Sequence, residues 1–142
     1  MPVYQKFATF PLDFLKGKHN FETDVFHMML SNVMPNGATD ISSDDIVEIP
    51  AGNGYPAGGL TVSHVVMSLD DLTLDTVVEG DPVIFTAAGG AMGPLRYAVM
   101  FNFSKAEQRL VCFWDYGVSI TLMDTETLTI TFNAEDGIFR VD

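Results

Sequence analysis

The chain is short of positive charge. Seven Lys and Arg stand against 19 Asp and Glu, a formal net charge of −12 with the histidines neutral. Nucleic-acid backbones and anionic membrane surfaces are both gripped chiefly by Lys and Arg, so this balance argues against either as a partner. The acids are spread along the chain with no run of five or more, which reads as a solvated acidic surface. Cysteine is almost missing too: Cys112 stands alone, so no intrachain disulfide can form, which fits a reducing compartment. Long apolar runs are also lacking. The opening MPVYQKFATF has no apolar core of the signal-peptide kind, and nothing approaches the ~20 apolar residues of a spanning helix. The expectation is a soluble protein made in the cytoplasm.

Large apolar side chains, by contrast, are plentiful. Of 142 residues, 47% are hydrophobic and only 18% charged, which excludes intrinsic disorder and suits a single domain over residues 1–142. Such a domain buries roughly 70% of its unfolded surface. There are eleven Phe and eight Met, and MPVYQKFATFPLDFL and DVFHMMLSNVM hold many of them. Either they make a Phe-rich core with Met as filler, or the surplus forms an exposed patch that marks an oligomer or partner interface.

Helical signal is confined to Phe10–Lys16, FPLDFLK, where Pro11 suits a first turn and Gly17 a stop. Phe7, Phe10, Phe14 and Leu15 are expected on one side of it. The rest reads as strands and turns: 24–30, a short piece at Ile46–Ile49, 60–67, 69–78, 83–87, 95–103, 109–116 ended by Gly117, 119–122, 127–132 and 138–141. The segments 95–103 and 109–116 form a hairpin. The pattern predicts an all-β fold: a β-sandwich, jelly-roll-like, of about eight or nine short strands with one short N-terminal helix.

Little of this carries chemistry. AGNGYPAGG, residues 51–59, offers Gly52-x-Gly54, but Ala57 stands where a dinucleotide loop needs its third glycine, and a β-branched run follows in place of a helix. Gly59 precedes Leu60 rather than Lys, which removes the P-loop. The loop reads instead as a glycine-supported presentation of Tyr55-Pro56, a contact anchor or a plain surface loop. His19, His27 and His64 share no metal spacing, and His27 and His64 fall in expected strands. Cys112, in LVCFW, has neighbours that raise a thiol pKa, so it reads as structural. Asp40, Asp44 and Asp45, and Asp70, Asp71 and Asp75, match no calcium-loop pattern and read as solvated turns. No catalytic, metal-binding or cofactor-binding residue is assigned.

Several segments, taken in order, resemble a family of small virion structural proteins of tailed phages and prophages. They are Tyr4-Gln5-Lys6-Phe7, His19-Asn20, Leu30-Ser31-Asn32 with Pro35, Glu48-Ile49, Ala51–Tyr55 with Gly58-Gly59, Ala87–Gly90, Gly93–Tyr97, Trp114–Gly117, Ser119–Leu122 and Asp136-Gly137. Pro11 departs from the family's cleaner N-terminal helix. The resemblance implies a capsid decoration, or cement, protein rather than an enzyme. Its implied partners are the major capsid protein and copies of itself, as a homotrimer, with no nucleic acid, membrane, small-molecule substrate or cofactor. Its implied place is the capsid exterior of the virion. The glycine-rich loop and the N-terminal segment become contact arms, through Asn53, Tyr55, Pro56, Tyr4, Phe7 and Phe10. On that expectation Tyr55 is exposed, and Tyr55→Ala weakens assembly more than folding. A neck, tail or head-fibre component is the nearest alternative. A carbohydrate-binding module using Trp114 and Tyr116 is a further one.

Overall fold

The computed structural model describes residues 2–133 and 136–141. Among these, antiparallel strands dominate: β1 (Val3–Lys6), β2 (Phe26–Ser31), β3 (Leu60–Val62), β4 (Val66–Leu69), β5 (Thr76–Glu79), β6 (Val83–Thr86), β7 (Met92–Asn102), β8 (Leu110–Leu122), β9 (Thr127–Ile130) and β10 (Phe139–Val141), with one short helix, α1 (Phe10–Leu15). They form three sheets: β1-β8-β7-β2-β3, β10-β5-β4 and β6-β9.

The centre is the β7–β8 hairpin, which pairs Ala98 with Trp114 and Met100 with Cys112. Ala98–Asn102 and Leu110–Phe113 are buried residue after residue, without the alternation of a half-exposed strand. One face carries Ala98, Met100, Cys112 and Trp114 and, across from them on β2, Phe26, Met28 and Leu30. Onto it pack Val78 and Phe139 from the three-stranded sheet and Val83, Phe85 and Ile130 from the two-stranded one. The opposite face carries Tyr97, Val99, Phe101, Leu110 and Phe113 and is covered by Phe7 and Ile46. A register slip between Met100 and Phe101 lets Val111 and Cys112 enter the same core.

Several expectations are corrected. Strands β7 and β8 are long, 11 and 13 residues. Gly117 does not end β8; it takes φ 83 inside the strand, where the register against β7 shifts. The run 60–67 divides, because His64 turns the chain at φ 53 and pairs with Asp81; His64 therefore lies outside any strand. Ile46–Ile49 contributes one bridge, Ser31 to Glu48, and no strand. Phe7, Phe10, Phe14 and Leu15 do not share a side. Phe7 precedes the helix and packs on Phe113, 5.1 Å between ring centroids, while Phe10 enters the other core against Phe139 at 5.3 Å. Phe14 and Leu15 remain exposed, since six helical residues cannot turn all four inward.

His19 is buried among Phe10, Phe21 and Phe26, with Nδ1 3.2 Å from the Asn102 amide. Burial pulls its pKa down to about 4, and burial lowers that of His27 as well. Below its ordinary value near 6.5 the unfolded chain takes up a proton that folded His19 refuses until about pH 4, so stability falls as pH falls through that window. The melting temperature should drop between pH 7 and pH 4.5, and His19→Phe should flatten that drop; an unchanged slope in the variant would contradict this origin.

Candidate protein-interaction surface

The glycine-rich loop is folded inward. Gly52 and Tyr55 exchange backbone hydrogen bonds of 2.9 and 3.0 Å, closing a tight turn. The Tyr55 ring is buried beside Phe85, 5.8 Å between centroids. Its hydroxyl donates to Glu48 Oε2 at 2.6 Å and accepts the Leu30 N–H at 3.1 Å. The same carboxylate oxygen accepts Gly58 N–H at 2.7 Å. Burial pushes the phenol pKa up, and the Glu48 bond adds to it. Tyr55 is therefore a post joining the loop to β2, and its expected exposure is overturned. Two glycines make this possible: at Gly54 and Gly59, both with positive φ, a Cβ would collide with the Thr86 and Met28 carbonyls.

The other expected contact residues divide. Asn53 and Pro56 lie at the surface, but the Asn53 amide donates to Ala91 O at 2.8 Å, tying the two glycine-rich links together. Phe7 and Phe10 are core residues and cannot be contact arms; the aromatic clusters on the two faces of the large sheet take them up. Tyr4 stays partly exposed on edge strand β1, its ring 5.6 Å from that of Trp114.

A surface absent from those expectations is the β4–β5 hairpin. Val66, Met67, Leu69, Leu72 and Leu74 are 51, 42, 63, 95 and 76% exposed. Val66 faces the other side of the sheet from Met67 and Leu69; lone exposed leucines are ordinary, but Met67, Leu69, Leu72 and Leu74 together on one hairpin make a patch. Met67 pairs with Val78, which pairs with Phe139, so Met67 stands on the core-facing side of its sheet; Leu69 and Val141, two residues on, continue that side into solvent. The turn is cross-linked by side-chain hydrogen bonds. Arg140, on the opposite side, donates to Asp70 at 2.8 Å, Asp75 at 3.2 Å and Thr73 at 2.6 Å. The Arg140 bond holds the Asp70 carboxyl down at about 2. Strand β4 is the end strand of its sheet, and its sequence VMSL has no charge or proline to blunt an unpaired edge. The sequence signal was Leu72 and Leu74 inside DDLTLD, leucines where a turn wants polar residues.

A concave feature lies elsewhere, a cleft of about 610 Å³ whose walls include Tyr4, Lys6, Trp114, Tyr116, Phe132 and Arg140. Trp114 is itself buried, 5.5 Å from the Phe132 ring, so it is a wall of the core rather than an open platform. Cys112 is buried, and burial raises its thiol pKa. Among the described residues no three His, Cys, Asp or Glu side chains gather as a metal site requires, and no helix is long and apolar enough to cross a membrane.

Compared with protein-family models, curated proteins and solved structures, the chain matches none.

Tyr55→Phe should lower stability by about 1–3 kcal/mol, because the buried Leu30 N–H loses its partner, and should leave self-association unchanged. Denaturant unfolding and sedimentation check this; unchanged stability with lost association would restore the contact role.

Proposed function

We propose that this chain is a structural binding protein of a phage virion, a capsid decoration protein rather than an enzyme. The observation that supports a binding role is the β4–β5 hairpin, tied at its turn by Arg140 and with its large apolar side chains in water. Burying such side chains against another protein releases roughly 1.5–3 kcal/mol each. Repetition over a lattice then multiplies modest contacts into durable attachment. The virion assignment rests on the ordered segments from Tyr4 to Gly137 that resemble the phage family. In this reading the three sheets close into a jelly-roll-like β-sandwich. The protein is made in the host cytoplasm, assembles as a homotrimer, and seats on the major capsid protein at the capsid exterior.

Location within the particle is a matter of stoichiometry. Quantitative mass spectrometry of purified particles should find this chain in copy numbers comparable to the major capsid protein, as a symmetric shell requires. A copy number of roughly a dozen or fewer would move it to the neck, tail or a head fibre. The aromatic walls of the cleft favour one other reading, a carbohydrate-binding module, because Tyr4, Tyr116 and Phe132 can stack on a sugar face. A glycan array with specific signal, lost in Tyr116→Ala, would select it.

A further inference from the structure

We propose that the β4–β5 hairpin of one copy docks on the α1 end of a second copy. Two surfaces of this chain are complementary in both apolarity and charge. The first is the hairpin, where Met67, Leu69, Leu72 and Leu74 are bordered by Asp70, Asp71, Asp75 and Glu79. Arg140 offsets part of that charge from the other side of the sheet.

The second surface is α1 and the segment after it. Leu12, Phe14 and Leu15 are exposed there, Leu15 at 82%. Lys16 and Lys18 follow them in the chain and Arg109 reaches Asp13 of α1; with Lys105 these are four of the seven basic side chains of the whole chain. Lys18, Lys105 and Arg109 line one shallow hollow with Glu107, so these charges are together in space. Lys18 and Arg109 share Glu107, at 3.2 and 3.0 Å, Arg109 also lies 3.8 Å from Asp13 of α1, and Lys105 lies 3.7 Å from Asp24; Lys16 makes no ion pair among the described residues. The α1 end thus sets four cations against Asp13, Asp24 and Glu107, a small positive excess beside exposed apolar side chains on a chain of net charge −12.

The occupant follows from the charges. Copies of so acidic a chain repel one another over most of their surface, and the α1 end, with its small positive excess and with Lys16 unpaired among the described residues, is where an acidic-rimmed hairpin is attracted. Both halves of the match lie on one chain, so the partner is a second copy. The contact joins unlike surfaces, and copies therefore connect head to tail; a rotation that closes yields a ring, of which the proposed trimer is one. This inference rests on the reading that the chain self-associates.

The test uses the full chain with two double variants at exposed positions, Leu72→Glu with Leu74→Asp on the hairpin, and Leu15→Ser with Lys16→Glu on α1. Each should weaken self-association about 100-fold in sedimentation equilibrium, with thermal unfolding confirming that each remains folded. Mixed in equal amounts, they should recover one association, a heterodimer, because each supplies the surface the other lacks. A wild-type chain that is monomeric at every concentration overturns the self-association reading and this contact with it. A wild-type oligomer indifferent to both variants overturns the contact and leaves self-association standing. Dissociation without recovery on mixing overturns the pairing of unlike surfaces. A hairpin variant that still oligomerises but no longer binds purified particles also overturns it, and gives the hairpin to a different protein. Should either variant fail to fold, the single changes Asp71→Lys and Lys16→Glu carry the same test, the two together in one chain restoring what each alone loses.

Discussion

The β7–β8 hairpin is apolar on both faces, and most of the structure answers that requirement. A strand pair with one wet face needs a single cover. Here Met100 and Cys112 point one way and Phe101 and Phe113 the other, and both directions are closed to water. The two small sheets supply one cover. The N-terminal segment, through Phe7, and the long 32–49 connection, through Ile46, supply the other. Because β1 pairs with β8 and Phe7, next to it in the chain, is buried in this cover, the N-terminal segment belongs to the packing of the fold.

The same demand explains the glycine-rich loop. Its chain approaches β2 and the end of β6 closely enough that only glycine fits at two positions, and the approach carries Tyr55 inward. Glu48 then serves as a shared acceptor for the Tyr55 hydroxyl and the Gly58 N–H. With Phe7, Phe10 and Tyr55 committed to the interior, the apolar surplus of the composition appears elsewhere: on the β4–β5 hairpin, on the outer side of α1, and at Val33, Met34 and Val47 of the long connection. Ion pairing from Arg140 fixes the hairpin's shape without covering its leucines. That combination, cross-linked at its turn and apolar and uncovered, suits a binding surface whose ordering cost is to be low.

Much of the strand pattern was legible because it is local. The 95–103 and 109–116 runs announce a hairpin through their apolar density, Cys112 announces its burial through its neighbours, and Pro11 and Gly17 bracket the helix. What was not legible depended on distant partners. Tyr55 beside Pro56 has the look of an exposed loop tip until Glu48 and the Leu30 N–H are placed around it. Gly117 looks like a terminator because positive φ usually ends a strand, yet a strand with a register shift accommodates it. Leucines 72 and 74 fit a period-two strand on paper; the backbone instead turns there, with Leu74 at φ 64, and leaves them outside.

The central claim, that the β4–β5 hairpin and the outer side of α1 are interface rather than idle surface, is tested most directly by side-chain footprinting across protein concentration. Hydroxyl-radical labelling of Leu72 and Leu74, and of Leu12 and Leu15, should fall together as concentration rises through the association range, while labelling of Val118 and Met123 stays level. Equal labelling of the hairpin and α1 leucines at every concentration at which the protein is oligomeric would contradict the account.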